Sequence, residues 1–253
     1  MTKNRCSQIA WVTGAGRGIG KAVTLLLQNE GWVIAASSRT SKDLDQLVSE
    51  NELGNLHAYP LDVTDPVATK LTIKRIENEL GNINLVVLNA GTFYPSKIDS
   101  LSEDHFRNLV EVNLMGTVNG LSSMIPRFIE RKGGNIAVVA SLAGYRGLPN
   151  ASAYGATKAA LINMCEAIYP KLKENNVHIH LINPGFVKTP LTDKNDFHMP
   201  FLISAEDAAA RILKGIKNNQ FEICFPRRFA LIMSFLRIIP NRFYFFLINL
   251  ISK

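Results

Sequence analysis

The sequence lacks the cysteine and histidine groupings that indicate a disulfide framework or a metal site. Its three cysteines, Cys6, Cys165 and Cys224, are isolated, and no C-x-x-C pair is present. The five histidines are scattered, and His178 and His180 alternate within a predicted strand, as ordinary strand residues do. We therefore expect reduced thiols in a cytoplasmic protein and no bound metal.

Long apolar runs are absent as well. The first residues, 1–6, lack the apolar stretch of a secretory signal peptide, and no run reaches the ~18 apolar residues of a membrane-spanning helix. With 47% hydrophobic and 19% charged residues among 253, the composition is that of a globular protein with a substantial core. Internal repeats, linkers and low-complexity segments are missing too.

Acidic residues are missing from positions 227–253, which hold five of the basic residues. These are Arg227, Arg228, Arg237, Arg242 and Lys253. Most of the formal charge of +7 therefore belongs to this tail, and the rest of the chain is close to neutral. Such a distribution disfavours a general nucleic-acid-binding surface.

Short β-rich runs and helical patterns alternate from Gln8 to Phe225. The run at 85–88 is fully apolar, which is typical of a parallel strand covered on both faces. This order predicts an α/β fold with a single Rossmann-type doubly wound parallel sheet of about seven strands and helices on both faces. Asp65 and Ser204 fit helix N-caps, whereas Pro170 predicts a kink or an early helix end near Tyr169.

A glycine-rich segment at 13–20 follows the first apolar run and precedes a helical pattern. Strand, glycine turn and helix is the arrangement that presents backbone N–H groups and a helix N-terminus to a diphosphate. The glycines at 14, 18 and 20 do not follow the strict G-x-G-x-x-G spacing, so a plain structural turn is the alternative.

The end of the second predicted strand bears on the choice of dinucleotide. An acid there would hold the ribose 2′-hydroxyl of NAD, whereas this chain has Ser38 followed by Arg39. Arg39 suits a 2′-phosphate, and Arg17 in the glycine turn could reach the same group. Two solvated arginines are the alternative, but their joint placement without an acid favours NADP.

Tyr154 and Lys158 are four residues apart in a helical stretch, and Ser141 lies thirteen positions upstream of Tyr154, at the end of a β-rich run. Four-residue spacing places both side chains on one helix face. A nearby ammonium favours the phenolate, so we expect a lowered pKa of Tyr154 and proton exchange with a carbonyl or alcohol oxygen. A surface Tyr–Lys pair is the ordinary alternative for this spacing taken alone.

Taken in order, these motifs resemble those of the short-chain dehydrogenase/reductase superfamily, in its NADP-preferring branch. The motifs are TGAGRGIG (13–20), LDVTD (61–65), LNAG (88–91), Asn113, Ser141, YGATK (154–158) and NPGFVKT (183–189). The resemblance covers about residues 8 to 225, so we expect a dinucleotide-binding and catalytic domain at 1–226 and a separate extension at 227–253. Leu88 stands where many relatives have an Asn. Pro170 lies in the helix that members of this family often use for dimerisation. We therefore expect a homodimer, with the usual tetramer in doubt.

The resemblance implies a role for each matched residue. Tyr154 is the general acid/base, and Ser141 hydrogen-bonds the substrate oxygen. Lys158 binds the nicotinamide ribose and lowers the pKa of the tyrosine, while Asn113, a residue unfavourable in mid-helix, supports a proton relay through water. The residues implied to contact the cofactor, NADP or NADPH, are Gly14, Arg17, Gly18, Ile19, Gly20, Ser38, Arg39, Asp62, Val63, Asn89, Ala90, Tyr154, Lys158, Pro184, Gly185, Val187 and Thr189.

The implied function is the NADP-dependent interconversion of a carbonyl and an alcohol. Phe197, Met199 and Phe201 are candidates for an apolar lid and, with the tail, favour an apolar or lipid-like substrate. A 3-oxoacyl reductase acting on a carrier- or CoA-linked chain is the alternative among enzymes. A dinucleotide-binding sensor or scaffold is the alternative outside enzymes, and the presence of every catalytic residue disfavours it.

The tail at 227–253 is apolar, aromatic and basic, and Pro240 divides it into two predicted short helices. It fits two interpretations. It could pack on the body or on a dimer partner, beside residues 191–203, or it could lie in a membrane interface with its arginines at lipid phosphates. The central Pro240, Asn241 and Arg242 argue against a spanning segment.

Overall fold

A computed structural model describes residues 8–51, 53–95, 99, 101–194 and 199–251 of the chain. Cys6, Phe197 and Lys253, which the sequence analysis singled out, lie outside the described residues. The strands of the described ranges are β1 (Ile9–Thr13), β2 (Val33–Ser37), β3 (Leu56–Ala58), β4 (Ile83–Leu88), β5 (Gly134–Val139), β6 (Val177–Pro184) and β7 (Glu222–Phe225).

The strands form one parallel sheet in the order β3-β2-β1-β4-β5-β6-β7. This confirms the predicted doubly wound sheet. The chain moves outward from β1 to β3 and then returns to add β4 on the other side of β1. Such a reversal opens a crevice at the carboxyl ends of the strands, and ligands of open α/β sheets bind there.

Helices cover both faces of the sheet. They are α1 (Gly18–Asn29), α2 (Ser41–Ser49), α3 (Pro66–Glu79), α4 (Glu103–Leu109), α5 (Gly116–Glu130), α6 (Ser152–Glu174), α7 (Ala205–Lys217), α8 (Arg227–Ile238) and α9 (Asn241–Ile251). One apolar core joins the sheet to α3, α5 and α6, and a second joins it to α1, α2 and α7. The strands between the two cores are buried on both sides, as their apolar runs predict.

Two predicted N-caps are confirmed. The Asp65 carboxylate accepts hydrogen bonds from the first turn of α3, and the Ser204 hydroxyl accepts one from Asp207 N at 3.0 Å. The predicted helix end near Tyr169 is wrong, because α6 continues through Pro170 to Glu174. Leu172, beyond the proline, is buried in the core, and this packing holds the last turn although proline lacks one backbone donor.

The tail forms the two helices that Pro240 predicts, α8 and α9. Ala230 and Met233 on α8 are buried and join the core that contains α6. Tyr244 on α9 is also buried. The inner faces of both helices therefore pack on the body. Within the described ranges, no helix is both long and apolar enough to cross a membrane.

Candidate active site

A cleft of about 430 Å³ lies at the carboxyl ends of the strands. It collects residues from almost every segment that carries a sequence motif. Each residue predicted to contact the cofactor lines it except Gly20: Gly14, Arg17, Gly18, Ile19, Ser38, Arg39, Asp62, Val63, Asn89, Ala90, Tyr154, Lys158, Pro184, Gly185, Val187 and Thr189. Ser141 lines the cleft as well, whereas Asn113 does not.

The glycine turn between β1 and α1 packs closely against the segment that follows β4. Gly14 has a φ of +64°, and a Cβ there would lie 2.9 Å from the Cα of Ala90. Gly20 has a different task, since a Cβ on it would lie 2.1 Å from the carbonyl oxygen of Gly14. Gly20 therefore allows α1 to pack against the turn instead of lining the cleft.

Side chains from β1 and β4 fix the turn in place. The Asn89 amide donates to the carbonyl oxygens of Thr13, at 3.1 Å, and Gly14, at 3.2 Å. The Thr13 hydroxyl accepts hydrogen bonds from the backbone N–H groups of Asn89 and Ala90. Asn89 thus lines the cleft and also holds the glycine backbone.

The N-terminus of α1 faces this cleft without a side-chain cap from its N-cap residue, Arg17. Uncapped N–H groups at a helix start, together with the helix dipole, favour a bound anion. The glycine turn leaves space for a ligand against the backbone. The residues present therefore fit the diphosphate of a dinucleotide.

The Arg17 side chain is already paired in this structure and is not available to a 2′-phosphate. Its guanidinium makes two hydrogen bonds to the Asp43 carboxylate, with Nε–Oδ2 at 2.7 Å and Nη2–Oδ1 at 3.0 Å. Asp43 lines the cleft beside Ser38, because a Cβ on Gly16 would lie 2.8 Å from Asp43 Cβ and 3.4 Å from Ser38 Oγ. The strand end itself carries no acid, as the sequence shows, but Asp43 of α2 brings a carboxylate to the same end of the cleft. Arg39 lines the same end and is exposed.

The proton-transfer residues meet at the other end of the cleft. Ser141 follows β5, and its hydroxyl donates to Pro184 O at 3.3 Å, accepts from Ala143 N at 3.1 Å and hydrogen-bonds Tyr154. Lys158, one turn after Tyr154 on α6, is buried and lies 5.6 Å from the centre of the tyrosine ring. The predicted common face of the two side chains is confirmed.

The direction of the Tyr154 pKa differs from the expectation. Burial raises it to about 12, and the hydrogen bond between Tyr154 and Ser141 only partly opposes this. Burial also lowers the pKa of Lys158 to about 8, and its ammonium donates to Val139 O at 2.8 Å. Desolvation is the largest cause of both shifts, so Tyr154 carries its proton at neutral pH.

Asn113 lies in a π-helical turn, Val110–Met115, between α4 and α5, and it is fully buried. Its Oδ1 accepts from Thr92 N at 2.7 Å, and its Nδ2 donates to Thr92 O at 3.0 Å and to Thr157 Oγ1 at 3.3 Å. The amide therefore clamps the segment after β4 to the start of α6. This resolves why an asparagine occupies the middle of a helical segment.

Several residues of the site were missed from the sequence. Asp43 and Tyr94 line the cleft, and the ring of Phe93 packs edge-on against Tyr154 with centroids 5.2 Å apart. The available signal in the sequence was the pair of aromatic residues, Phe93 and Tyr94, shortly after the turn at 89–91. Of the described lid candidates, Met199 and Phe201 do not line the cleft in this structure, and the Phe201 ring lies 6.4 Å from that of Phe229 in the tail.

Comparisons with known proteins agree with this geometry. Residues 8–199 match the family model for short chain dehydrogenases. An uncharacterized oxidoreductase of Myxococcus xanthus is 36% identical over 92% of each chain. A 3-oxoacyl-[acyl-carrier-protein] reductase of Thermotoga maritima is 33% identical over 74% of this chain and 77% of its own.

Solved structures show the same fold. A short-chain dehydrogenase/reductase from Burkholderia phymatum, in complex with NAD, has a TM-score of 0.82 at 21% identity, covering 91% of this chain and 92% of that one. A short-chain dehydrogenase from Streptomyces avermitilis has a TM-score of 0.80 at 21% identity, covering 90% and 92%. The family model spans most of the chain, and the curated relatives exceed 30% identity. The chain therefore belongs to the short-chain dehydrogenase/reductase family, whose members are oxidoreductases that use a nicotinamide dinucleotide.

Proposed function

We propose that the protein uses NADP(H) to interconvert a carbonyl and an alcohol on an apolar small molecule. The observation that carries this proposal is that Ser141, Tyr154 and Lys158 line the same cleft as the uncapped N-terminus of α1. A binding protein without catalysis would not need a buried lysine next to a tyrosine and a serine hydroxyl.

The bound dinucleotide supplies hydride transfer, and the chain supplies the proton and the charge stabilisation. Tyr154 carries its proton at neutral pH and can therefore donate it to the oxygen of a carbonyl that is being reduced. The Ser141 hydroxyl can donate a second hydrogen bond to the same substrate oxygen when its proton turns away from Pro184 O. Lys158 places a positive charge near the phenolate that forms when the proton leaves, which stabilises it. Asn113 acts as a positioning residue through Thr92 and Thr157.

The preference for NADP rests on Arg39. It is exposed at the end of β2, and no carboxylate of the described chain lies within ion-pair distance of it. Arg17 becomes available to a 2′-phosphate if it leaves Asp43, which is an exchange of one anion for another. A family member of known structure is in complex with NAD, so the fold itself does not dictate NADP, and we assign the choice in this chain to Arg17, Arg39 and Asp43.

An apolar substrate is supported by the cleft wall near Tyr154. The Phe93 ring packs edge-on against Tyr154, and Tyr94, Val112 and Leu191 add apolar surface to the cleft. A 3-oxoacyl thioester is a specific candidate within this class, because a relative of that activity is 33% identical over 77% of its length.

The experiment is a screen of aldehydes, ketones and 3-oxoacyl thioesters with NADPH and with NADH, followed at the nicotinamide absorbance. On the best substrate, Tyr154→Phe removes the proton donor and keeps the ring, so kcat falls by about 10²-fold or more while NADPH binding is unchanged. A Tyr154→Phe variant with normal kcat, or a wild-type protein that prefers NADH, contradicts the proposal.

A further inference from the structure

The outer faces of α8 and α9 form an apolar surface. Each large side chain in it is between 47% and 78% exposed. We call this set the tail surface; its members are Leu231, Ile232, Phe235, Ile238, Phe243, Phe245, Phe246 and Leu250. Single exposed apolar residues are ordinary, but eight on two consecutive helices mark an interaction site.

The two helices are held firmly on their inner sides, so the tail surface is part of the folded protein. The Arg146 guanidinium lies 4.5 Å from the centre of the Tyr244 ring, and the Tyr244 hydroxyl donates to Gly147 O. On α8, the Arg237 guanidinium lies 5.4 Å from the centre of the Tyr145 ring. Both helices therefore dock on the same segment of the body, at 145–147.

The exposed charges of the tail are all positive. Arg227 and Arg228 at the start of α8 and Arg242 at the start of α9 are exposed. Arg237 differs, since it also pairs with Glu166 at 3.5 Å. No acidic residue occurs at 227–253. The surface thus combines exposed aromatic and aliphatic side chains with unbalanced arginines.

This combination of apolar side chains and arginines decides whether a second copy of the chain or a lipid membrane covers the tail surface. In a twofold dimer the same surface meets itself, which brings the arginines of both copies together with no tail acid to pair with them. An anionic lipid surface complements both features, because the headgroup phosphates attract arginine and the interface accepts apolar and aromatic side chains.

We propose that the tail surface docks the protein on an anionic phospholipid membrane. The outer side chains of α8 and α9 enter the interface, Arg227, Arg228 and Arg242 contact lipid phosphates, and neither helix crosses the bilayer. Helix α8, whose outer face carries part of this surface, starts next to the cleft, since the Phe229 ring on its inner side lies against Gly185.

Sedimentation of the full chain with vesicles tests the proposal without any turnover assay. We expect binding to vesicles of phosphatidylcholine with phosphatidylglycerol, weaker binding to phosphatidylcholine alone, and loss of the difference as salt rises. Arg227→Gln with Arg228→Gln weakens binding to the anionic vesicles by about 25-fold, at about fivefold for each charge. Lys70→Gln with Lys74→Gln, two exposed cations on α3, is the charge-matched control and leaves binding unchanged.

The apolar part is tested by Phe243→Ser with Phe246→Ser. Both rings are 63% exposed, so the fold tolerates the change, and we expect about a tenfold loss of vesicle binding for each. The matched control is Val67→Ser with Leu71→Ser, whose side chains are 67% and 61% exposed on α3. Thermal melts confirm that all variants are folded.

Two results overturn the proposal. One is a full-length chain that does not sediment with anionic vesicles, or whose binding the α3 controls reduce as much as the tail variants do. The other is an oligomer that Phe243→Ser with Phe246→Ser converts to a monomer in the absence of lipid. That outcome would show that the tail surface is the contact between the two copies of the expected homodimer.

Discussion

Replacing Asp43 with asparagine tests the electrostatics at the 2′ end of the cleft. Asparagine keeps the size of the side chain and a hydrogen-bond acceptor for Arg17, but it removes the negative charge. The wild-type pair is partly open to water, with side-chain exposures of 63% for Arg17 and 19% for Asp43. Breaking an ion pair of this kind changes the free energy of unfolding by less than about 1 kcal/mol. A change in cofactor affinity is therefore not a consequence of misfolding.

The substitution strengthens the binding of NADPH in two ways. The substitution frees Arg17 for the 2′-phosphate, and it removes a repulsion between that phosphate and the carboxylate. Two unit charges 4 Å apart interact by about 1 kcal/mol in water and about 4 kcal/mol at an effective dielectric constant of 20. For a half-open site we expect about 1–2 kcal/mol, which tightens the Kd for NADPH by about 5- to 30-fold.

The measurement is a titration of Asp43→Asn with NADPH and with NADH, at low and at high salt. NADH has no 2′-phosphate, so its Kd changes by less than about twofold, and the gain for NADPH shrinks with added salt. The control is Asp45→Asn, the same charge change two residues along α2, where the side chain points away from that of residue 43. If both variants bind NADPH equally, or if NADH gains as much, the assigned competition between Asp43 and the phosphate is wrong.

Three further outcomes are expected. Arg39→Asp weakens NADPH binding by at least about tenfold and leaves NADH binding within about threefold, as measured by the same titrations. Asn113→Ala lowers the free energy of unfolding by about 2–3 kcal/mol in denaturant titrations, because it leaves partly buried backbone groups of Thr92 without their partners. The Lys158 pKa is lowered from 10.5 to about 8, so the unfolded chain holds a proton that the native state releases between these values. Stability rises there by up to about 3 kcal/mol relative to Lys158→Met, and equal pH slopes for the two proteins would refute that pKa.

The fold and most of the cleft follow from local sequence. In a parallel sheet every strand ends at the same edge, so residues placed just after apolar runs meet in space although they are far apart in the chain. Ser141, at the end of the run that forms β5, was placed in this way. Its position required only the order of strands and helices, whereas Asn89 came from the resemblance to the family.

Asp43 could not be placed by the same reasoning. It lies within α2, and its approach to Arg17 depends on how that helix packs on the sheet, through the buried Leu44 and Leu47. The prediction of a lowered pKa for Tyr154 was wrong for a related reason. Four-residue spacing fixes the distance to Lys158, but desolvation depends on what the rest of the chain lays over both groups.

The tail shows the limit of periodicity in its clearest form. An amphipathic pattern predicts which face of a helix is buried only if the other face is polar. On α8 the buried Met233 and the exposed Phe235 are both apolar, as are the buried Ala230 and the exposed Leu231. Sequence alone therefore left packing on the body and binding to a membrane as competing interpretations. The structure makes them compatible, because the inner face is satisfied by the body while the outer face, with its arginines, is available to a second surface.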